Sequence, residues 1–497
     1  MPLGRAVPAL AAATTSPSNP RIVAVVSRRS VADGSYTFAT TLTGGTWTYQ
    51  GTLASSHSVR PLLWRGGATS ELLLGSVYPW WSGNLGGSWT AFHPGPTHVD
   101  IRGIYTNSTH TRVWAVADGD SYDGQYAIIT SSWSAGVAPA TATQVSDLGI
   151  NSLQQFFVAP IKRGTSSPST RWLLTGGMDN YGGCSANGGS SWSYYNPPGS
   201  VADHLAVLQA CVPMGTGCNP STSRAYFFNI GRLWRSTTLW SASSCAGVGW
   251  TLANYHPGVA APWSSHSIAL RPGFPGSVYV ANSGPNGVVQ VSTDGGDTPF
   301  TATAPLPDDA RPVSLYVTGS GAIIAGSGRA ANGQGTQYPP RGIYRLEPGG
   351  SWVPWGLNAT PPEFVNAITA TGTGGTLDTF WAATTSGIWR KAGLGSWTLV
   401  LSTTGYGASD VAIDPQNSNR VYVGQGLIDQ VQEHRGGVLF TDDGGASWCS
   451  LTSGWLPHAT PIADVEVDPY DSSRIWVATF GAGVWAYDGA GAPPSCP

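Results

Sequence analysis

Charged residues are scarce in this chain of 497 residues. Lys and Arg together number 24, Asp and Glu number 27, and charged residues make up 10% of the chain, against about 25% in typical soluble domains. Only Lys162 and Lys391 are lysines, so the chain lacks the residues for the basic groove that nucleic-acid binding needs. The net charge of −3 also provides no attraction to nucleic acid or to an anionic membrane surface.

Long apolar runs and helical periodicity are also missing. No run of 18 apolar residues occurs, so the sequence predicts no membrane-spanning helix. No segment of about 11 residues or more shows a convincing helical period. Yet 41% of the residues are hydrophobic and 11% are aromatic, which is enough for a sizeable core and excludes global disorder.

The usual short catalytic motifs are absent. A nucleophile elbow, a P-loop, a zinc signature and a dinucleotide-binding fingerprint do not occur, and these are the local signatures of many hydrolases, phosphate-binding enzymes and dehydrogenases. The nine histidines show no metal-binding spacing on a plausible helix. Function must therefore be sought in the repeat architecture.

Internal repeats are the strongest signal in the sequence. SDVAIDPQNSNRVYVGQG (409–426) and ADVEVDPYDSSRIWVATF (463–480) share a strand, an Asp-Pro turn, a polar loop, an Arg and a second apolar strand. First strands begin near residues 8, 59, 99, 152, 203, 265, 311, 363, 408 and 462. Nine units close on an aromatic residue that opens a short fourth strand: Trp47, Trp89, Trp133, Trp192, Trp250, Phe300, Trp352, Trp397 and Trp448.

Tandem four-stranded units of this length predict an all-β fold, a β-propeller of about ten blades. A single ring of ten blades is expected, with seven blades and a partial second propeller as the alternative. The expected organisation is an N-terminal segment at 1–19 (a weak signal peptide or a first strand), propeller repeats at 20–488 and a tail at 489–497. The tenth unit shows three strands and no clear fourth.

The cysteine count favours an oxidising compartment. Six cysteines in a chain rich in Gly, Ser and Thr are typical of secreted proteins, although six free thiols are the alternative. Of the 15 possible pairings, the repeat register favours Cys184 with Cys245, Cys211 with Cys218, and Cys449 with Cys496. We therefore expect an extracellular or cell-surface protein.

Several turns carry a recognisable motif. Residues 441–448 (TDDGGASW) match the Asp-box pattern S/T-x-D-x-G-x-S/T-W at each defined position, 292–298 match it up to the Trp, and 185–192 match it with Asn187 in place of Asp. The chain thus resembles the BNR/Asp-box propeller superfamily, which includes sialidases, xyloglucanase-type hydrolases, sortilin-like receptors and photosystem-assembly factors. This resemblance implies a propeller fold, and in that superfamily the Asp-box residues are structural.

Two aspartates are the candidates for chemistry. Aligned first strands place polar residues near a central channel, and Asp410 with Asp464 is a possible acid/base pair for glycoside hydrolysis. Glu466 is notable because it lies inside an apolar strand. The alternative is that these polar residues satisfy strand ends and line a wet channel. The resemblance also argues against a sialidase, because Arg21-Ile22 is followed by Val23 instead of proline.

Ligand and metal candidates lie outside the repeat register. Flat aromatic rings on loops can stack on sugars or protein partners, although local packing is the alternative. The ligand-binding candidates are Trp80, Trp81, Trp240, Trp263, Trp355, Trp455 and His204. Asp118, Asp120 and Asp123 form a candidate Ca²⁺ loop, with an ordinary acidic turn as the alternative.

The sequence thus leads to two main hypotheses about function. The first is a secreted or surface-exposed propeller that binds carbohydrate or protein without catalysis. Its low charge would permit homo-oligomers or polymers. The second is a polysaccharide hydrolase that uses Asp410 and Asp464. A third, weaker hypothesis is an assembly factor for another complex.

Overall fold

The computed structural model describes the chain in separate stretches. The residues described are 7–13, 21–27, 35–41, 48–53, 62–64, 71–75, 79–92, 101–107, 109–117, 128–139, 143–144, 155–161, 171–177, 182–195, 207–210, 224–229, 232–255, 267–282, 287–328, 339–358, 362–372, 374–403, 407–426, 436–451, 455–456, 461–479 and 483–489.

These stretches form short antiparallel strands grouped in small sheets. Nine sheets have four strands and one has three, and each strand pairs with its neighbour in sequence. The helical residues described are two 3-10 turns, Cys245–Gly247 and Pro307–Asp309. None of the described residues belongs to a helix long and apolar enough to cross a bilayer. The predicted all-β fold of four-stranded propeller units is confirmed.

The chain divides into two compact units, Met1–Ser152 (unit 1) and Leu153–Pro497 (unit 2). Unit 1 contains sheet 1, with β1 (Val7–Ala13), β2 (Arg21–Ser27), β3 (Ser35–Thr41) and β4 (Thr48–Leu53); sheet 2, with β5 (Leu62–Trp64), β6 (Leu72–Gly75), β7 (Pro79–Ser82) and β8 (Thr90–Ala91); and sheet 3, with β9 (Ile101–Thr106), β10 (Arg112–Ala117), β11 (Ile128–Ser132) and β12 (Thr143–Gln144).

Unit 2 contains sheets 4 to 10. Their strands are β13 (Gln155–Ile161), β14 (Trp172–Gly177), β15 (Gly182–Ser185) and β16 (Ser193–Tyr195) in sheet 4; β17 (Val207–Ala210), β18 (Ala225–Asn229), β19 (Arg232–Ser236) and β20 (Thr251–Leu252) in sheet 5; β21 (Ile268–Arg271), β22 (Phe274–Asn282), β23 (Val288–Ser292) and β24 (Thr301–Ala302) in sheet 6; β25 (Pro312–Val317), β26 (Ile323–Ser327), β27 (Ile343–Leu346) and β28 (Trp352–Gly356) in sheet 7; β29 (Val365–Ala370), β30 (Thr379–Thr384), β31 (Gly387–Ala392) and β32 (Thr398–Ser402) in sheet 8; β33 (Ala408–Asp414), β34 (Asn417–Gln425), β35 (Gly437–Thr441) and β36 (Cys449–Ser450) in sheet 9; and β37 (Ile462–Val467), β38 (Arg474–Thr479) and β39 (Val484–Asp488) in sheet 10.

The predicted repeat boundaries agree closely with these strands. First strands begin at residues 7, 62, 101, 155, 207, 268, 312, 365, 408 and 462, each within about four residues of its predicted position. The fourth strand starts at or directly after the predicted aromatic residue in eight sheets. The exception is Trp133, which follows the third strand β11; its backbone N–H donates to the Thr111 carbonyl at 2.8 Å and so extends the pairing of β10 with β11.

The core lies between the faces of neighbouring sheets. Second strands are buried on both sides: in β38, Ile475, Val477 and Ala478 are each 0% exposed. Because each blade is covered by the next, these strands read as continuous apolar runs, and their burial supplies most of the hydrophobic stabilisation.

The Asp-box turns form the expected hydrogen-bonded hairpin connection. In the turn after β35, the Asp443 carboxylate accepts bonds from the Ala446 and Ser447 backbone N–H groups at 2.8 and 2.9 Å. The Ser447 hydroxyl donates to it at 2.6 Å, and this bond together with the backbone bonds holds the pKa of Asp443 well below its usual range. Asn187 and Asn84 accept the equivalent N–H bonds in two other turns. The second of these (SGNLGGSW, 82–89) is a further copy that the sequence analysis did not include, although each defined position matches if Asn replaces Asp.

In unit 2 the first strands contact one another in sequence. Contacts join β13 to β17, β17 to β21, β21 to β25, β25 to β29, β29 to β33 and β33 to β37, and a further contact joins β37 back to β13. The last sheet of unit 2 therefore packs against the first. Such contacts are what the alternative of seven blades plus a partial second propeller predicts for unit 2. The blade number, the single ring of ten blades and the three-part division of the chain stay predictions.

One predicted disulfide is present within the described residues. Cys184 of β15 is bonded to Cys245, and the bond links sheet 4 to the connection between β19 and β20 of sheet 5. Cys449 is also disulfide-bonded, and its predicted partner Cys496 lies outside the described residues. Cys211 and Cys218 lie outside them as well.

Candidate functional site

Polar side chains on the first strands of unit 2 bridge neighbouring sheets. The Ser314 hydroxyl donates to the Val365 carbonyl at 2.9 Å, and the Asn366 amide donates to the Ala408 carbonyl at 2.7 Å. Farther along, the Asp410 carboxyl accepts a bond from the Val465 backbone N–H at 2.9 Å. These side chains therefore tie β25 to β29, β29 to β33 and β33 to β37.

Asp464 makes the corresponding bridge between the last sheet and the first. Its carboxyl accepts a bond of 2.7 Å from the backbone N–H of Val158 in β13. A β-bulge lies beside both aspartates, since the strand register shifts between Ala408 and Asp410 and between Ile462 and Asp464. A bulge re-aims nearby side chains, and this explains how both carboxyls reach a backbone donor on the adjacent sheet.

The carboxyls of Asp410 and Asp464 are also hydrogen-bonded to each other, and Glu466 lies close to both. Asp464 donates a hydrogen bond to Asp410, and burial together with the nearby charges of Asp410 and Glu466 raises the pKa of Asp464 well above its usual range. Burial raises the pKa of Asp410 too, although the bonds from Val465 and Asp464 oppose this. The three carboxyls (the carboxyl cluster: Asp410, Asp464 and Glu466) therefore hold protons at a pH where isolated carboxyls are ionised.

Glu466 differs from the two aspartates in its access to water. Its side chain keeps solvent-accessible surface, yet the dense protein around it, followed by the charge of Asp410, raises the pKa of Glu466 to about 8. Alternation along β37 places it on the same face as Asp464. Sequence reasoning noted this residue without assigning it to a site; the usable signal was a glutamate two positions from Asp464 in an apolar strand.

The arrangement is a poor match to a glycoside-hydrolysing pair. Such pairs stand about 5 to 5.5 Å apart in retaining enzymes and about 6.5 to 9.5 Å apart in inverting ones, so that the sugar bond and a water molecule fit between them. Asp410 and Asp464 are instead in direct hydrogen bond to each other, and each also accepts a backbone N–H. The geometry fits the alternative interpretation, in which these residues satisfy and connect the first strands.

The predicted aromatic residues have different positions. Trp80 and Trp81 lie within strand β7 and are half-buried, so they do not belong to a loop. Trp240 is 7% exposed inside the core that contains Cys184 and Cys245, which leaves no ring face for a sugar in this conformation. Trp455 is partly buried beside Tyr487, with ring centroids 5.5 Å apart.

Trp355 is the candidate with the most developed surroundings. It lies half-buried in β28, the outer strand of sheet 7, and its ring is 5.5 Å from Trp397 and 4.9 Å from Phe380. Arg345 and Lys391 lie 5.4 and 5.5 Å from the same ring. An aromatic ring with two cations this near is a potential recognition surface.

The other predicted ligand residues lie outside the described residues. These are His204, Trp263 and the proposed Ca²⁺ ligands Asp118, Asp120 and Asp123. Within the described part of the chain, no group of three or more His, Cys, Asp or Glu residues could hold a metal ion. The Ca²⁺ loop therefore stays a prediction.

The carboxyl cluster predicts a pH dependence of stability. Between about pH 4, where carboxyls of an unfolded chain ionise, and the pKa of about 8 for Glu466, the folded state binds more protons than the unfolded state. The free energy of unfolding should therefore fall as the pH rises from 5 to 9. Urea unfolding across this range should show that Glu466→Gln weakens the dependence, whereas Glu347→Gln, which removes an exposed carboxylate, should leave it unchanged. An identical slope in wild type and Glu466→Gln would contradict the assignment.

Comparison with known proteins finds one curated relative of part of the chain and several solved structures of similar fold. No family model matches the chain. A segment of 153 residues is 31% identical to a xyloglucanase of Hypocrea jecorina; the match covers 28% of this chain and 17% of that protein, so the chain matches about a sixth of its relative's length.

Solved structures with similar folds have lower identities. YCF48 from Cyanidioschyzon merolae is 16% identical, with a TM-score of 0.47 over 68% of this chain and 96% of that one. An ancestral GH74 enzyme is 13% identical, with a TM-score of 0.49 over 98% and 87% of the two chains. The extracellular domain of BT4673 from B. thetaiotaomicron is 10% identical, with a TM-score of 0.47 over 98% and 59%. The chain is similar to β-propeller proteins, as its repeats predicted.

Proposed function

We propose that this chain is an extracellular β-propeller that binds polysaccharide without cleaving it, and that unit 2 is a closed ring of seven blades. The observation that carries the non-catalytic assignment is the use of Asp410 and Asp464 to join first strands. The similarity of part of the chain to a xyloglucanase favours carbohydrate over protein as the ligand. The disulfides favour an oxidising compartment.

A polysaccharide hydrolase is the second candidate, and Glu466 is the residue that favours it. A carboxyl with a pKa of about 8 is protonated at neutral pH, as a general acid must be, and Glu466 is accessible to water. Such an enzyme would need Asp410 or Asp464 to leave its bridging bonds and act as the base or nucleophile.

Binding and cleavage can be measured in the same experiment. Purified protein is run through native gels that contain xyloglucan, and the same mixtures are analysed for released oligosaccharides by mass spectrometry. We expect retarded migration and no product. Product that disappears in Glu466→Gln would favour the hydrolase, because this substitution removes the proton donor and leaves both bridging aspartates in place. Neither retardation nor product with any of a panel of neutral and acidic polysaccharides would overturn both candidates.

A further inference from the structure

Two cations converge on one tryptophan ring at the outer edge of unit 2. Arg345 of β27 and Lys391 of β31 belong to neighbouring sheets, and both lie within 5.5 Å of the Trp355 ring. Trp397 completes the group by donating its indole N–H to the Trp355 carbonyl at 3.2 Å. These four residues, Arg345, Trp355, Lys391 and Trp397, are called the Trp355 patch.

The positive charge of this patch is not balanced within the described residues. Arg345 pairs with the exposed Glu347 at 2.6 Å. Lys391 donates to the Gly395 carbonyl, and among the described residues no carboxylate forms an ion pair with it. Partial burial and then the charge of Arg345 lower the pKa of Lys391. Two positive groups and one negative group leave a net charge of about +1 beside a half-exposed ring, where an incoming anion would relieve the repulsion.

Contacts between one cation and one indole recur elsewhere in unit 2. Arg390 lies 5.6 Å from the Trp381 ring, and Arg474 lies 5.7 Å from the Trp476 ring. A single cation at a tryptophan is therefore a repeated packing feature of the blades. Trp355 differs because Lys391 contacts its ring as a second cation beside Arg345. Lys391 is one of only two lysines in the chain.

The surface around the patch is open to solvent. Val353, on the same strand as Trp355, is 50% exposed, and Leu399 on β32 is 39% exposed. Apolar surface next to an aromatic ring suits the C–H faces of a sugar, and an ammonium beside it suits a carboxylate. The chain's net charge of −3 disfavours a strongly charged polyanion such as nucleic acid. A uronic acid polymer carries one carboxylate per sugar residue, which is a lower charge density than the one charge per about 1.7 Å of duplex DNA, and unfavourable long-range charge is screened beyond about 10 Å at 0.1 M salt.

We propose that the Trp355 patch binds a uronic acid residue of an acidic polysaccharide, with the sugar carboxylate paired to Lys391 and its ring against the exposed aromatic and apolar surface. This inference rests on the proposed polysaccharide-binding function and names the class of sugar that one of its subsites would take. Arg345 would contribute the second positive charge while keeping its bond to Glu347.

The test compares polygalacturonate with neutral xyloglucan as probes, using titration calorimetry on the full chain. Lys391→Gln should weaken polygalacturonate binding about tenfold, because it removes a charge-assisted bond, and should leave xyloglucan binding unchanged. Arg390→Gln is the matched control. It removes the cation next to Lys391 in the sequence, which contacts the ring of Trp381 and not that of Trp355. It should leave both affinities within about twofold of wild type. Unchanged thermal unfolding of both variants would establish that they fold.

The possible outcomes separate this inference from the proposed function. Wild type that binds xyloglucan but not polygalacturonate would overturn the patch and leave polysaccharide binding standing. Equal loss of polygalacturonate binding in Lys391→Gln and Arg390→Gln would overturn it too, since overall charge would then be responsible. Wild type that binds neither probe would remove the proposed function itself.

Discussion

Replacing Arg171 with alanine should lower the free energy of unfolding of unit 2 by about 3 to 5 kcal/mol. The Arg171 guanidinium is 2.6 Å from the Asp468 carboxylate, and the two side chains are 1% and 0% exposed. Arg171 precedes β14 in the first sheet of unit 2, whereas Asp468 follows β37 in the last. Removing the cation would leave a buried carboxylate without its charge partner, at the contact that joins these two sheets.

The surrounding bonds increase the cost of this substitution. Asp468 also accepts the Trp476 indole N–H at 3.1 Å and the Tyr470 backbone N–H at 2.9 Å, and the Arg171 guanidinium lies 4.2 Å from the Tyr470 ring. The carboxylate therefore cannot turn toward water without breaking other bonds, and the structure cannot relax around the missing cation.

Arg474→Ala is the matched control for Arg171→Ala. Arg474 holds the equivalent repeat position at the start of β38, but its partner Asp488 is 54% exposed, so the loss should be about 0 to 1 kcal/mol. Urea unfolding followed by tryptophan fluorescence would measure both variants. Similar losses in the two would mean that the contact between the last and first sheets does not depend on the buried ion pair.

These arginines illustrate what the repeats predict and what they leave open. The pattern places an arginine near the start of three second strands: Arg171 directly precedes β14, Arg474 opens β38, and Arg420 is the fourth residue of β34. The partner of each is set by tertiary structure: Arg420 binds Asp414 of its own sheet, and Arg171 binds Asp468 across 297 residues. Local sequence fixes the strand order and the turn chemistry, whereas long-range pairings depend on which sheets become neighbours.

At the candidate site, too, the sequence predicts some features, whereas others depend on tertiary structure. Aligned first strands correctly grouped Asp410 with Asp464, because equivalent positions of neighbouring blades lie side by side. That their carboxyls accept hydrogen bonds from backbone N–H groups of the next sheet depends on β-bulges, which the repeat alignment does not reveal. Trp240 gave a misleading signal: its position outside the register suggested a loop surface, but the connection between β19 and β20 folds into the core beside Cys245.

That connection leads to the second large expected effect, which is the loss of the disulfide between Cys184 and Cys245. The bond closes a loop with a sequence separation of 61, and a loop of this length stabilises the folded state by about 4 kcal/mol through the entropy of the unfolded chain. The double variant Cys184→Ala/Cys245→Ala should lose about this amount, plus a smaller cost for the two sulfur atoms, since the cysteines are 1% and 9% exposed in the core.

Reductant separates the covalent link from the packing of the sulfur atoms. Urea unfolding of wild type and of the double variant, each with and without reductant, gives four free energies. Reductant should destabilise wild type by about 4 kcal/mol more than it destabilises the double variant, because only wild type contains this bond. Cys449 is disulfide-bonded in both proteins, so its contribution cancels in the comparison. If reductant has the same effect on both proteins, the bond contributes no stability, and the core around Trp240 holds sheets 4 and 5 together by packing alone.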